Sequence, residues 1–177
     1  MSRLEVYPLQ AATVNPRQLA RVRFLLVIFV GGLVVSGITA FPLRWEIDVL
    51  KRIFVDDPSS MAHAIPGLVD WLTFVHRGIV ETYTDYPFIA YGTDWLAYAH
   101  IVIAIAFLGP IRNPVRNVWV VEWCMIACAL VVPTALVFGS LRGIPFGWQL
   151  IDMSFGVIGI VPLWLARREV RQMVHEV

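Results

Sequence analysis

Four long apolar runs divide the chain, and its polar positions gather into blocks between them. The runs are Phe24 to Phe41, Phe88 to Leu108, Val118 to Phe138 and Gly147 to Leu165. A bilayer core takes about 20 predominantly apolar residues per helix, so each run predicts one spanning helix. Residues 1–23 and 166–177 are left as tails, and residues 42–87 as a long connection between the first two spans.

That connection has its own helical pattern. From Trp45 to Val55, Ile47, Leu50 and Phe54 fall on one side and Asp48, Lys51 and Arg52 on another, before the run Asp56 to Ser60 breaks the helix. From Pro66 to Tyr83, Asp70, Thr73, Arg77 and Glu81 recur at helical spacing, with Leu68, Trp71, Leu72, Val75 and Ile79 elsewhere. A helix with such a stripe is too polar to span and suits the interface plane. A re-entrant hairpin is the alternative, since irregular backbone at depth needs buried or wet surroundings. The fold class expected is therefore an all-α integral membrane protein. It is a single-domain four-transmembrane-helix bundle over residues 1–177, with amphipathic helices in the outer loop between spans 1 and 2.

Composition agrees: the 177 residues are 58% hydrophobic and 15% charged, with a mean hydropathy of +0.71. Charge adds an orientation, because Lys and Arg collect on cytoplasmic loops. Of the 14 Lys and Arg residues, nine flank one set of span ends: Arg3, Arg17, Arg21, Arg23, Arg112, Arg116, Arg167, Arg168 and Arg171. The other five are Arg142 and, in the long and net acidic loop, Arg44, Lys51, Arg52 and Arg77. Both termini are thus expected in the cytoplasm and residues 42–87 outside, in a membrane of the bacterial inner-membrane kind. Pro8 and Pro16, and the lack of an apolar core before a small-residue cleavage site, argue against a removable signal peptide.

The tryptophans support the same layout, since indoles favour membrane interfaces. Trp45, Trp71, Trp95 and Trp148 fall near outer boundaries, and Trp119, Trp123 and Trp164 near inner ones. Cys124 and Cys128 lie in the third run, where they read as small packing residues rather than a metal pair.

Four ionisable residues fall inside the apolar runs: Asp94, His100, Glu122 and Asp152. Charge at membrane depth costs about 2.5–3.5 kcal/mol even on insertion scales, so such groups face the interior and find partners. Thr93, Ala97, His100 and Ala104 form one stripe, and Asp152, Gly156 and Gly159 another. Small residues let helices approach closely in lipid, which makes both stripes contact surfaces. Asp94 and Asp152 come out at similar depth near the outer mouth, with His100 about 9 Å deeper at about 1.5 Å per residue. Arg44 and Arg142 are the nearest outer cations. An outward-opening pocket of Arg44, Asp94, His100, Arg142 and Asp152 is the expected ligand site. Glu122 lies near the inner face, within reach of Arg116. His63 and His76 read as ordinary loop residues.

No glycine-rich phosphate loop, zinc-protease histidine pair or internal repeat occurs, which takes ATP-driven transport and the commonest metalloprotease chemistry out of the leading options. The leading expectation is a protein that binds a hydrophobic small molecule or lipid, or serves a larger membrane complex or homo-oligomer. One alternative is a membrane enzyme acting on a lipid, isoprenoid or quinone, with His100, Asp94 and Asp152 in catalytic roles. Another is b-type haem electron transfer, which needs a second imidazole from His76 or another subunit. The pattern assigns no cofactor, no metal site and no nucleic-acid partner.

Overall fold

The computed structural model describes residues 15–175, and among these every regular element is helical. In chain order they are α1 (Pro16–Ala40), α2 (Leu43–Phe54), α3 (Leu68–Asp85), α4 (Ala90–Ala106), α5 (Leu108–Arg112), α6 (Val118–Leu141) and α7 (Phe146–His175). Short 3-10 turns occur at Met61–Ala64 and Pro87–Ile89. Four stretches are long and apolar enough to cross a membrane: Pro16–Ala40, Pro87–Arg112, Val118–Leu141 and Phe146–Met173.

These coincide with the four apolar runs, but two of the helices outrun them into the expected tails. Helix α1 begins at Pro16 because the Asn15 side-chain oxygen accepts the Arg17 N–H at 3.0 Å, and proline suits the first helical position. Helix α7 continues through Arg167, Arg168, Glu169 and Arg171. Arg and Glu are strong helix formers, so polarity ends the apolar run without ending the helix. Arg3 and Pro8 lie outside the described residues.

The chain forms two compact units, and the boundary between them falls inside α1. One unit comprises residues 107–175 with 15–29. Its core takes Val22, Leu26 and Phe29 from α1, Phe107, Val121 and Cys124 from the middle of the chain, and Leu163, Ala166, Val170 and Met173 from α7. Spacings of three and four put the α1 set and the α7 set each on one helix face. The rings of Phe29 and Phe107 stand 5.1 Å apart. Helices α6 and α7 pack along each other, and α7 presents Gly156 and Gly159 to Cys128 of α6. The small-residue stripe is thus a contact surface, and Cys124 and Cys128 are buried packing residues with free thiols.

The other unit comprises residues 30–106. Helix α2 packs on α3, burying Ile47 and Leu72 and leaving the Asp70, Thr73, Arg77 and Glu81 stripe exposed. His76 is more than a loop residue: its Nε2 meets Asp48 Oδ1 at 2.8 Å, joining α3 to α2. Between these helices Gly67 takes φ +75°, the left-handed region that a residue without Cβ occupies at no steric cost. Helices α1 and α4 meet at Gly37, where a Cβ would lie 3.1 Å from both Ala97 O and His100 Cβ.

Candidate functional site

The hairpin between α6 and α7 builds a concavity. Helix α6 ends with Gly143 at φ +68°. The Ile144 N–H bonds Gly139 O at 2.9 Å and the Gly143 N–H bonds Ser140 O at 3.3 Å. This paired closure satisfies the last carbonyls of α6 and turns the chain sharply; Pro145 follows and α7 starts at Phe146. Gln149, which is buried, donates its Nε2 to Ile144 O at 2.8 Å and braces the turn.

Along this hairpin runs an open groove of about 420 Å³. Its wall is one face of α6, with Ala127, Val131, Thr134, Ala135 and Phe138, and its polar groups are Thr134, Arg142 and Asp152. The Arg142 guanidinium sits over the Phe138 ring at 5.9 Å from its centroid. Arg142 and Asp152 share the groove without forming an ion pair. Each therefore keeps hydrogen-bonding capacity for a third group: five donors on the guanidinium and two acceptor oxygens on the carboxylate.

Two of the five expected site residues, Arg142 and Asp152, are thus brought together. Arg44, Asp94 and His100 belong to the unit of residues 30–106. There Arg44 is exposed and Asp94 half-buried. Among the described residues neither has an ion-pair partner. His100 is half-buried, and its Nδ1 donates to Leu96 O at 2.8 Å. In the neutral imidazole that bond makes Nε2 the acceptor or ligand atom.

Glu122 also differs from expectation. Its carboxylate takes Arg167 Nε at 2.6 Å and Arg171 Nη2 at 3.6 Å, in place of Arg116. The continuation of α7 past the apolar run carries both arginines to it. Neither that pair nor the contact of His76 with Asp48 was legible from spacing, because their partners lie 45 and 28 residues apart in sequence. Among the described residues, no cluster of three or more His, Cys, Asp or Glu side chains is placed to hold a metal ion.

Set against protein-family models, curated proteins and solved structures, the chain matches none.

Proposed function

We propose that this chain is an integral membrane protein that binds a lipid-like amphiphile along the α6–α7 groove. The observation that carries the reading is the pairing, in one groove, of an apolar α6 face with Arg142 and Asp152. An apolar wall with a few convergent polar groups is the usual form of a ligand site. The polar head it suits both accepts from Arg142 and donates to Asp152, as a neutral or zwitterionic head does.

Membrane insertion is supported by the surface of the four long helices. Val27, Ile105, Ile126, Leu130, Val157 and Ile158 are each more than half exposed, apolar area that a water-soluble monomer rarely presents. The partition of Arg and Lys supports cytoplasmic termini and a groove with its polar end outside, in a membrane of the bacterial inner-membrane kind. The same apolar surface could serve contact with a larger complex or a second copy.

Mass spectrometry of small molecules that co-purify in mild detergent tests the reading. One amphiphile near one per chain is the expected result, lost from Ala135→Trp, which fills the groove. Absence of any such molecule, or its undiminished retention by Ala135→Trp, overturns the proposal.

A second reading, proton transfer or haem ligation at His100, is favoured by the fixed Nδ1 bond to Leu96 O, which presents Nε2. An absorbance spectrum of the purified protein separates the haem variant: a Soret band supports it, and a spectrum of aromatic residues alone excludes it.

A further inference from the structure

Within the unit of residues 15–29 and 107–175, three basic segments are fastened to one another. Arg23 of α1 donates from Nε to Ile111 O at 2.9 Å and from Nη2 to Arg112 O at 3.3 Å. Gln18 of α1 donates to Glu169 O of α7 at 3.2 Å. Glu122 of α6 holds Arg167 and Arg171 of α7. The N-terminal part of α1, the end of α5 and the end of α7 therefore form one surface.

The fastening uses some arginines and leaves others unengaged. Arg17, Arg21, Arg112, Arg116 and Arg168 are exposed, and among the described residues none makes an ion pair or a side-chain hydrogen bond. The acidic groups in these segments are Glu122, already taken by two guanidiniums, and Glu169. No lysine occurs in these segments, and the planar fork of arginine matches phosphate oxygens in a way the lysine point charge does not. Arg168 lies over the Trp164 ring at 5.9 Å from the centroid, and Trp164 is 49% exposed. An exposed indole beside a guanidinium marks the level where an apolar phase meets water.

We infer that this arginine surface docks the headgroups of anionic phospholipids. Charge complementarity selects the headgroup, and the exposed apolar helix faces continuing from Trp164 select a ligand that carries acyl chains. Nucleic acid or an acidic protein would satisfy the charge and leave the apolar surface uncovered. The inference rests on the membrane reading above, and is separate from the α6–α7 groove.

The test reconstitutes the full chain in bilayers of phosphatidylcholine with increasing phosphatidylglycerol, and reads the relative retention of the two lipids by native mass spectrometry. Phosphatidylglycerol is expected to be retained in preference. That preference falls about fivefold for each unengaged arginine neutralised, from roughly 1 kcal/mol per basic residue at an anionic surface. Arg112→Gln, Arg116→Gln and Arg168→Gln should each show it, while Arg52→Gln and Arg77→Gln in the other unit should not. Equal retention of both lipids by the unaltered chain overturns the inference, as does an equal effect of the control substitutions or preferential capture of a labelled oligonucleotide. Where a glutamine variant fails to fold, added salt acts on the unaltered protein: weakening preference supports the inference, and a flat response overturns it. Alkaline carbonate extraction distinguishes the two readings. A chain released from membranes refutes insertion itself, whereas one that stays embedded without headgroup preference refutes only the docking surface.

Discussion

Gly156 of α7 lies against the main chain of α6 at Cys128, where a Cβ would overlap the Cys128 carbonyl oxygen and come within 2.9 Å of Val131 Cβ. Backbone cannot yield as a flexible side chain does, so the smallest possible substitution already forces the two helices apart. Gly156→Ala is expected to cost about 1–3 kcal/mol through overpacking, and Gly156→Leu more. Gly159 has looser neighbours, Cys128 Sγ and Phe29 Cε2 at 3.3 Å, so Gly159→Ala should cost about 1 kcal/mol or less. Thermal unfolding in detergent, with Ile158→Leu on the exposed side as control, orders the three. Equal losses at Gly156 and Ile158 would contradict the close approach.

Much of this arrangement is legible in the sequence, and the reasons for the rest are physical. Apolar runs mark the four long helices because a run long enough to span is rare in soluble chains. The Asp152, Gly156 and Gly159 stripe marks a contact face because helical periodicity places residues three and four apart together. Periodicity does not say which helix covers that face. The separation of Asp94 and His100 from Arg142 and Asp152 into different units was therefore not readable. The ends of α1 and α7 escaped for another reason. Hydropathy stops at charge, whereas helices stop at caps, and the Asn15-Pro16 pair was the available signal for the first.

Glu122 binds two arginines of α7 unequally, at 2.6 Å to Arg167 and 3.6 Å to Arg171. Both guanidiniums retain solvent access, which limits the worth of each pair. Glu122→Gln is expected to lower stability by about 1 kcal/mol and Arg171→Gln by a few tenths. A double-mutant cycle between Glu122 and Arg167 should show coupling larger than the cycle between Glu122 and Arg171. The reverse order would mean that the shorter contact is not the stronger one.

The break between α2 and α3 carries a local pH response. Asp57 Oδ1 accepts the Ser59 N–H at 2.9 Å and its hydroxyl at 2.7 Å. These bonds, the hydroxyl first, hold the Asp57 carboxyl below the usual carboxylate range. A lowered folded value means that the turn gains from the ionised form above the unfolded value of about 3.9. The gain is lost as pH falls through the still lower folded value. Ser59→Ala removes the hydroxyl and keeps the N–H, so the Asp57 titration should move part of the way up. Carboxyl-carbon NMR of both proteins checks it, and superimposable titrations would rule out the hydroxyl as the main cause.

Asp94 and His100, six residues apart on α4, are expected to tolerate substitution alike in folding and to differ in function. Asp94 has no ion-pair partner among the described residues, so Asp94→Asn, which keeps shape and hydrogen-bonding capacity, should leave stability within about 0.5 kcal/mol, the range of substitutions that break no specific contact. His100 spends Nδ1 on Leu96 O at 2.8 Å, a carbonyl that the helix ladder already satisfies, so His100→Phe should also fold with little loss. What the phenylalanine removes is Nε2. If His100 has a chemical role, through proton transfer or ligation, His100→Phe abolishes the associated activity or retained ligand while Asp94→Asn preserves it. The tautomer can be read independently of any ligand: nitrogen-15 shifts of His100 should show a protonated Nδ1 and a bare Nε2. A protonated Nε2 would remove the available lone pair, and with it the chemical case for this histidine.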